Sequence, residues 1–247
     1  MAVGARHRTE AAVKRQKTDP AVPIKLAACG LILLTLLTLV LSACASGPPP
    51  ADWQLNARSS MDRSITAYLA GDTRVANLEF ARARAEIAST GRLDLLARAE
   101  LLRCAAQVAS LVGGPCAEFD KLKLDAAAPE QAYADYLTGR LRPQDIALLP
   151  ASQRAVAAPG LDGATAAVAL NAITDPLSRL VAAGVLMQAG KSAPTVVALA
   201  VDTASGQGWR RPLLAWLALQ TRQAELAGHT AEAERLRRRM AAILAPT

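Results

Sequence analysis

After residue 51, apolar residues recur every three or four positions along the chain and do not alternate with polar ones. This spacing matches the period of an α-helix, in which residues three or four apart share a face. Alanine, leucine and arginine, which favour helices, are abundant in the same stretch. The pattern therefore predicts an all-α fold. Helices are expected at residues 52–70, 73–89, 92–111, 116–124, 129–139, 143–148, 163–173, 176–189, 193–204, 208–227 and 230–244.

The breaks between these segments carry residues that are typical of helix ends. Glycine adopts the left-handed conformation that ends many helices, and Asp, Ser or Thr side chains accept hydrogen bonds from the free amides of the next helix. The expected end residues are Gly71, Gly91, Gly190 and Gly228, and the expected N-caps are Asp72, Asp175, Ser192 and Thr230. Turns this short predict antiparallel helical hairpins.

The helices at 73–89 and 92–111 show which faces should pack together. The first has an apolar face with Phe80 near its middle and an arginine-rich face towards solvent. Burying a phenylalanine or leucine stabilises a fold by about 1.5–3 kcal/mol, so Phe80 is an expected core residue. The opposing apolar stripe on the second helix consists of Leu95, Leu96, Ala99, Leu102 and Ala106.

Gly71, Ala76, Phe80 and Ala83 follow one another at intervals of five, four and three residues. This spacing resembles the middle of a tetratricopeptide repeat, in which small residues let two helices approach and an aromatic ring fills the gap. The resemblance implies antiparallel hairpins stacked in a short array.

Prolines divide the predicted helical body. Three of them make residues 140–163 the least regular stretch, so this stretch is expected to be an irregular connector. It would separate an N-terminal helical unit, residues 52–139, from a C-terminal unit, residues 164–247.

An uncharged apolar run begins at Leu26 and ends in Leu41, Ser42, Ala43 and Cys44. Six Lys and Arg residues precede it, and a Gly- and Pro-containing stretch follows. This order resembles the lipobox of bacterial lipoproteins that signal peptidase II processes. The resemblance implies that residues 1–43 are a cleaved signal peptide, that Cys44 carries the lipid, and that residues 44–51 form a flexible tether.

In lipoproteins of this kind, an aspartate directly after the lipidated cysteine commonly retains the protein at the inner membrane. Here that position is Ala45, so we expect a lipid anchor at the periplasmic face of the outer membrane. The alternative is a signal anchor in the inner membrane that is never cut, because residues 26–46 approach the roughly 20 apolar residues that span a bilayer.

Most of the positive charge belongs to the leader. The chain has 28 Lys and Arg and 21 Asp and Glu residues, a net charge of +7, and six of the basic and two of the acidic residues lie in residues 1–43. The remaining 22 and 19 give the body a net charge of +3. A net positive charge this small gives no reason to expect a nucleic-acid partner.

Two cysteines, Cys104 and Cys116, remain in the body. An oxidising periplasm favours a disulfide between them. The chain after residue 113 would have to run back along the helix, because Cys104 lies about 13 Å from Gly113 at 1.5 Å per residue. The alternative is two separately buried thiols, since free cysteine often acts as a small core residue.

Candidate catalytic residues are sparse. His229 is the only histidine of the body, which excludes a catalytic triad or a histidine-rich metal site within one chain, and no cofactor is expected. It follows a helix-ending glycine, where a surface turn is expected. Enzymes that cut peptidoglycan need a carboxylic acid in an apolar cleft. The available acids, which we assign to helix surfaces, are Glu79, Glu86, Glu100 and Glu118.

Two short aromatic stripes and one arginine cluster complete the candidates. The stripes are expected to pack in the core, with a groove for a partner helix or peptide as the alternative. The arginines complement the helix dipole, with an anionic lipid or acidic partner as the alternative. The stripes are Trp209, Leu213 and Trp216, and Tyr133, Tyr136 and Leu137; the cluster is Arg235, Arg237, Arg238 and Arg239.

The favoured hypothesis is a non-enzymatic lipoprotein that is held to the membrane through Cys44 and binds another protein as a scaffold, for example in envelope assembly. The competing hypotheses are an enzyme that acts on peptidoglycan and a carrier of a small ligand. A cleft with a buried glutamate of perturbed pKa would favour the enzyme, a closed apolar cavity the carrier, and an exposed apolar groove the scaffold.

Overall fold

Helices make up the regular structure of residues 49–161 and 163–245, which are the residues that the computed structural model describes. No strand occurs among them, and the helices pack in pairs, which confirms the all-α prediction. The α-helices of this part are α1 (Asp52–Ala70), α2 (Thr73–Ala88), α3 (Leu93–Ala109), α4 (Ala117–Asp120), α5 (Ala128–Leu137), α6 (Ala151–Ala157), α7 (Gly163–Asn171), α8 (Pro176–Gln188), α9 (Pro194–Gly206), α10 (Arg210–Leu226) and α11 (Thr230–Leu244). Two 3-10 helices span Lys123–Asp125 and Pro143–Leu148.

The bounds of the longer helices agree with the sequence pattern to within a few residues, and the differences fall in the middle of the chain. The predicted helix at 116–124 is divided into α4 and the 3-10 helix Lys123–Asp125. The pattern assigns no helix to residues 151–157, where the structure has α6. Pro150 directly precedes α6, and proline is compatible with a helix start, so it does not make the following residues irregular.

Helix ends follow the predicted chemistry at two of the four expected caps. Asp72 accepts a hydrogen bond from the Val75 amide at 2.9 Å, and Asp175 accepts one from the Ser178 amide at 2.7 Å. The prediction is wrong for Ser192 and Thr230, because the N-cap residues of α9 and α11 are Ala193 and His229, and neither side chain accepts a hydrogen bond from an amide of its helix. The observed N-cap of each of these two helices thus lies one residue away from the expected N-cap.

Consecutive helices form the pairs. α1 packs on α2, α9 on α10 and α10 on α11, each across a short turn. Gly71 ends α1 with φ of 97°, a left-handed conformation that a side chain disfavours. These three pairs follow the order of the chain, whereas α3 packs mainly on α8, five helices further along.

Two hydrophobic clusters fill the interior of the compact unit, which spans residues 50–247. The smaller cluster joins α1, α2 and α3 and includes Phe80, as predicted. Of the predicted stripe on α3, three residues are buried in this cluster and Leu95 packs against it. The prediction is wrong for Leu102, which is 36% exposed and is not part of this cluster. The three buried stripe residues are Leu96, Ala99 and Ala106.

The larger cluster runs from α3 to α11, so α3 contributes to both clusters. Contacts between residues far apart in the sequence join α10 to the N-terminal helices. Trp216 of α10 donates its Nε1 hydrogen to the carbonyl of Ala109 at 3.0 Å. Arg211 donates to the carbonyl of Tyr68 at 2.6 Å, and its guanidinium lies 4.3 Å from the centre of the Tyr68 ring. Residues 140–161, the described part of the expected connector, pack against the rest of the unit through α6, which contacts α8.

Candidate functional site

An open, largely apolar groove lies between α3, α5 and the residues that join the second 3-10 helix to α6. We call it the α3–α5 groove. Its volume is about 390 Å³, within the range of ligand sites in proteins. Its lining consists of Arg98, Leu101, Leu102, Pro129, Glu130, Tyr133, Leu148, Leu149 and Pro150.

Helical spacing explains how three separate segments share this groove. Leu101 and Leu102 follow Arg98 by three and four residues on α3, so these positions lie on adjoining faces of one helix. On α5, Glu130 and Tyr133 are three residues apart and lie on one face in the same way. The third side of the groove is formed by the end of the 3-10 helix.

Burial differs between the leucines of the groove. Leu101 and Leu149 are buried and belong to the larger hydrophobic cluster, so they form the floor. Leu102 and Leu148 are more than one-third exposed and form the rim. An exposed leucine on each side of a buried apolar floor is an arrangement that a bound apolar side chain would cover.

Arg98 and Glu130 form the polar part of the groove. The Arg98 Nε donates to Oε1 of Glu130 at 2.6 Å. The Glu130 side chain is only 14% exposed, and its second oxygen, Oε2, is buried without a hydrogen-bond partner among the described residues. A buried acceptor without a donor costs about 1–3 kcal/mol, so this oxygen is an unusual feature of the site.

Tyr133 joins the groove to the core. Its ring stacks on that of Tyr136 with the centroids 6.0 Å apart. Burial, followed by the nearby charge of Asp175, raises the pKa of Tyr133 to about 12, so its phenol stays protonated at neutral pH. Tyr136 lies deeper and donates its hydroxyl hydrogen to Oε1 of Gln153 at 2.8 Å. Of the predicted stripe, Tyr133 therefore lines the groove, whereas Tyr136 and Leu137 lie in the core.

The other aromatic stripe belongs to the core. Trp216 and Leu213 are buried in the larger cluster, and Trp209 is half-buried against both clusters at the start of α10. The expectation of core packing is confirmed for Leu213 and Trp216. Core packing leaves these two residues unavailable to a partner.

A second cleft, with a volume of about 310 Å³, lies beside the cysteines and contains Glu100. In the structure Cys104 and Cys116 form a disulfide with Cα atoms 5.7 Å apart. Glu100 is 4% exposed, and burial raises the pKa of its carboxyl group, an effect that the positive charge of Arg84 partly offsets. Arg84 donates to Oε1 of Glu100 at 3.0 Å. The carboxylate is thus buried and already bound to a cation, so the expected helix-surface position is wrong for Glu100.

The other candidate acids have partners on the helix surfaces. Arg63 and Arg82 each donate to one oxygen of Glu79, at 2.9 and 2.6 Å. Glu118 accepts from Lys121 at 2.7 Å, and Glu86 accepts from the Asn56 amide at 3.4 Å. Glu79 differs from the expected surface position because its side chain is buried beneath the two guanidinium groups.

The remaining candidates lie at the far end of the chain or outside the described part. His229 is exposed in the turn before α11. Arg235 is paired with Glu232 and Arg237 with Glu225, so two of the four clustered arginines already have carboxylate partners. Arg238 is exposed and Arg239 is partly exposed on the same helix. Cys44 and the rest of the lipobox lie outside the described residues.

Sequence reasoning missed most of the groove. Arg98 and Glu130 are 32 residues apart and meet only because α3 packs on α5. Two signals were available in the sequence: Tyr133, whose aromatic stripe has a partner groove as its alternative, and Leu102, the member of the α3 stripe that the smaller cluster does not include. When the apolar face of a helix is wider than one neighbouring helix can cover, the uncovered part predicts a second contact surface.

Comparison with known proteins adds no family to this description. No protein-family model, curated protein or solved structure matches the chain. Among residues 49–161 and 163–245, no helix is long and apolar enough to cross a membrane. In the same part of the chain, no three His, Cys, Asp or Glu residues are grouped so that they could hold a metal ion.

Proposed function

We propose that the chain is a lipoprotein, anchored through Cys44 at the periplasmic face of the outer membrane, whose helical body binds another protein as a scaffold and catalyses no reaction. The observation that carries the binding role is the α3–α5 groove, which has a buried apolar floor and two exposed leucines on its rim. The anchor rests on the sequence of residues 41–44.

The lining of the groove supports a protein segment as the ligand. Leucine and proline side chains dominate it, and one tyrosine contributes an aromatic wall. Such surfaces bind the side chains of a helix or an extended peptide, which supply apolar groups at regular spacing. The groove is open along one side, which suits a chain segment better than a ligand that must be enclosed.

Site-specific photo-cross-linking in the native envelope tests this role. A photoreactive residue at Leu148, on the rim of the groove, should give a discrete adduct with a partner protein. The matched control is the same residue at Val168, which is 74% exposed on α7 and does not line the groove. We expect Leu102→Asp to abolish the adduct at position 148 without unfolding the body, because Leu102 is already partly in water.

Equal adducts at positions 148 and 168, or none at 148, would contradict a binding role for the groove. An adduct at position 148 that persists in the Leu102→Asp variant would show that the partner is not held by the apolar rim of the groove. Circular dichroism of each variant distinguishes loss of binding from loss of the fold.

An enzyme that acts on peptidoglycan is the second candidate, and the burial and raised pKa of Glu100 favour it. Two observations count against an enzyme. The Glu100 carboxylate is bound to Arg84, and Phe119, the one aromatic residue that lines the cleft, is buried. An acid catalyst needs a proton to donate and room for a sugar ring beside it. Peptidoglycan digestion that is present in the native protein and lost in Glu100→Gln would establish this candidate.

A further inference from the structure

The unpaired oxygen of Glu130 is the feature from which the chemistry of the ligand can be inferred. Oε1 is held by Arg98 at 2.6 Å, while Oε2 has no donor among the described residues although it is buried. Glu130 lines the α3–α5 groove, so a ligand bound in the groove lies beside its carboxylate. The terminal torsion of a glutamate is soft, so its carboxylate can turn towards a ligand at little cost.

Glu79 provides an internal reference for a satisfied carboxylate. Its side chain is similarly buried, 8% exposed against 14% for Glu130. Each of its oxygens accepts from a different arginine, Oε2 from Arg63 and Oε1 from Arg82. Both arginines remain more than half exposed, as Arg98 does. Glu130 therefore has one arginine partner where Glu79, the similarly buried carboxylate, has two.

We propose that the α3–α5 groove binds a protein segment in which an apolar side chain is followed closely by a lysine or arginine. The apolar side chain lies on Leu101 and Leu149 between the two rim leucines, and the basic side chain donates a hydrogen bond to Oε2 of Glu130. This inference rests on the proposed function, because it names the chemistry of the partner that the groove would bind.

A cation suits this position better than a neutral donor. Hydrogen bonds between a cation and a carboxylate are roughly twice as strong as neutral ones, and the apolar walls of the groove strengthen them further by excluding water. An acidic segment is disfavoured, because it would bring a negative charge against Glu130, whose charge only one arginine balances. The stem of a lysine or arginine also packs on leucine side chains while its head remains polar.

Random-sequence heptapeptides displayed on phage, selected on the full-length protein, test the proposal. We expect enriched peptides to carry Lys or Arg within two residues of Leu, Ile, Met or Phe. Three variants are compared with the native protein, using one enriched peptide as the probe. They are Glu130→Gln, Arg98→Met and the control Glu118→Gln, which changes an exposed carboxylate outside the groove.

The variants of the ion pair should act in opposite directions. Glu130→Gln should weaken binding of the peptide by about tenfold or more, since it removes a charged hydrogen bond. Arg98→Met should strengthen binding severalfold, because both carboxylate oxygens then become available to the basic residue. Glu118→Gln should leave the affinity unchanged. A purely structural ion pair would instead make both groove variants bind more weakly.

The remaining outcomes overturn the proposal in distinguishable ways. Enrichment of apolar peptides without a basic residue, with equal binding to Glu130→Gln, contradicts the cationic ligand and leaves the proposed scaffold role standing. Enrichment of acidic peptides, or weaker binding to Arg98→Met, contradicts the assigned charge. Failure to enrich any peptide, together with no adduct at Leu148, contradicts both the ligand chemistry and the groove as a binding site.

Discussion

At position 184, the backbones of α8 and α3 come so close that only glycine fits. A Cβ atom there would lie 2.3 Å from the carbonyl oxygen of Val108 and 2.9 Å from its Cγ1 atom. Because the backbone of α3 must move, Gly184→Ala should lower the free energy of unfolding by about 1–3 kcal/mol, despite the higher helix propensity of alanine. Urea denaturation measures this change.

Gly206, the last residue of α9, supplies the control for that substitution. No atom lies within 4 Å of a Cβ built there, so Gly206→Ala should leave stability unchanged or raise it by up to about 1 kcal/mol. The prediction fails if the two variants have the same urea midpoint.

Two buried glutamates should have opposite effects on the pH dependence of stability. A hydrogen bond from Arg63 and the charges of Arg63 and Arg82 lower the pKa of Glu79, whereas burial raises the pKa of Glu100. The stabilisation from ionised Glu79 is therefore present above its ordinary pKa of 4.5 and lost as the pH falls. Ionisation of Glu100 has the opposite effect on the free energy of unfolding. The folded protein binds the Glu100 proton more tightly than the unfolded protein does, so stability is lost as the pH rises.

Glutamine variants separate these effects in denaturant titrations between about pH 3 and about pH 7. The native protein should gain stability relative to Glu79→Gln as the pH rises, and it should lose stability relative to Glu100→Gln over the same range. Parallel curves for the two variants would show that the environments of the two carboxyl groups do not differ as described.

Among the helices, α8 has the best-defined start. Asp175 accepts from the Ser178 amide, and Pro176 occupies the first helical position. Asp175→Ala should lower the free energy of unfolding by about 0.5–2 kcal/mol, because the amide loses its acceptor. Asp175→Asn keeps an acceptor and should retain most of the stability. Thermal or urea unfolding of the two variants tests the cap, and equal losses would attribute the effect to charge instead.

Helix bounds were largely predictable because their signals are local. Gly71 and Asp72 stand next to each other, and together they fix the end of α1 and the start of α2. The division of the predicted helix at 116–124 was not predictable in the same way, since the disulfide at Cys116 and the burial of Phe119 depend on α3 and the core. Local pattern cannot include contacts that form only on folding.

The groove shows the same limit more strongly. Its three segments come from α3, α5 and the chain before α6, and nothing local in the sequence shows that they meet. Leu102 fits a helix stripe equally well whether it faces α2 or a groove, and only the packing of α5 on α3 decides between them. The apolar character of the site could thus be predicted, but the pairing of Arg98 with Glu130 could not.

At the scale of the whole molecule, anchor and body should be separable. The compact unit begins at residue 50 and has its own two hydrophobic clusters, whereas the proposed lipid site is Cys44. Cys44→Ser should block lipid labelling and leave the full-length precursor, because the lipobox that residues 41–44 resemble requires the cysteine that carries the lipid. Cys29→Ser removes a thiol from the leader and should leave labelling intact.

Far-UV circular dichroism of the purified Cys44→Ser protein should still show a helical body, because residues of the body itself make the contacts that join its N-terminal helices to α10. Labelling of the Cys44→Ser protein with radioactive palmitate would contradict the anchor, and loss of helix would contradict the independence of the body. If both expectations hold, the purified Cys44→Ser precursor should still select the basic peptides on its groove. Lipid would then set where the protein acts, and Glu130 would set what it binds.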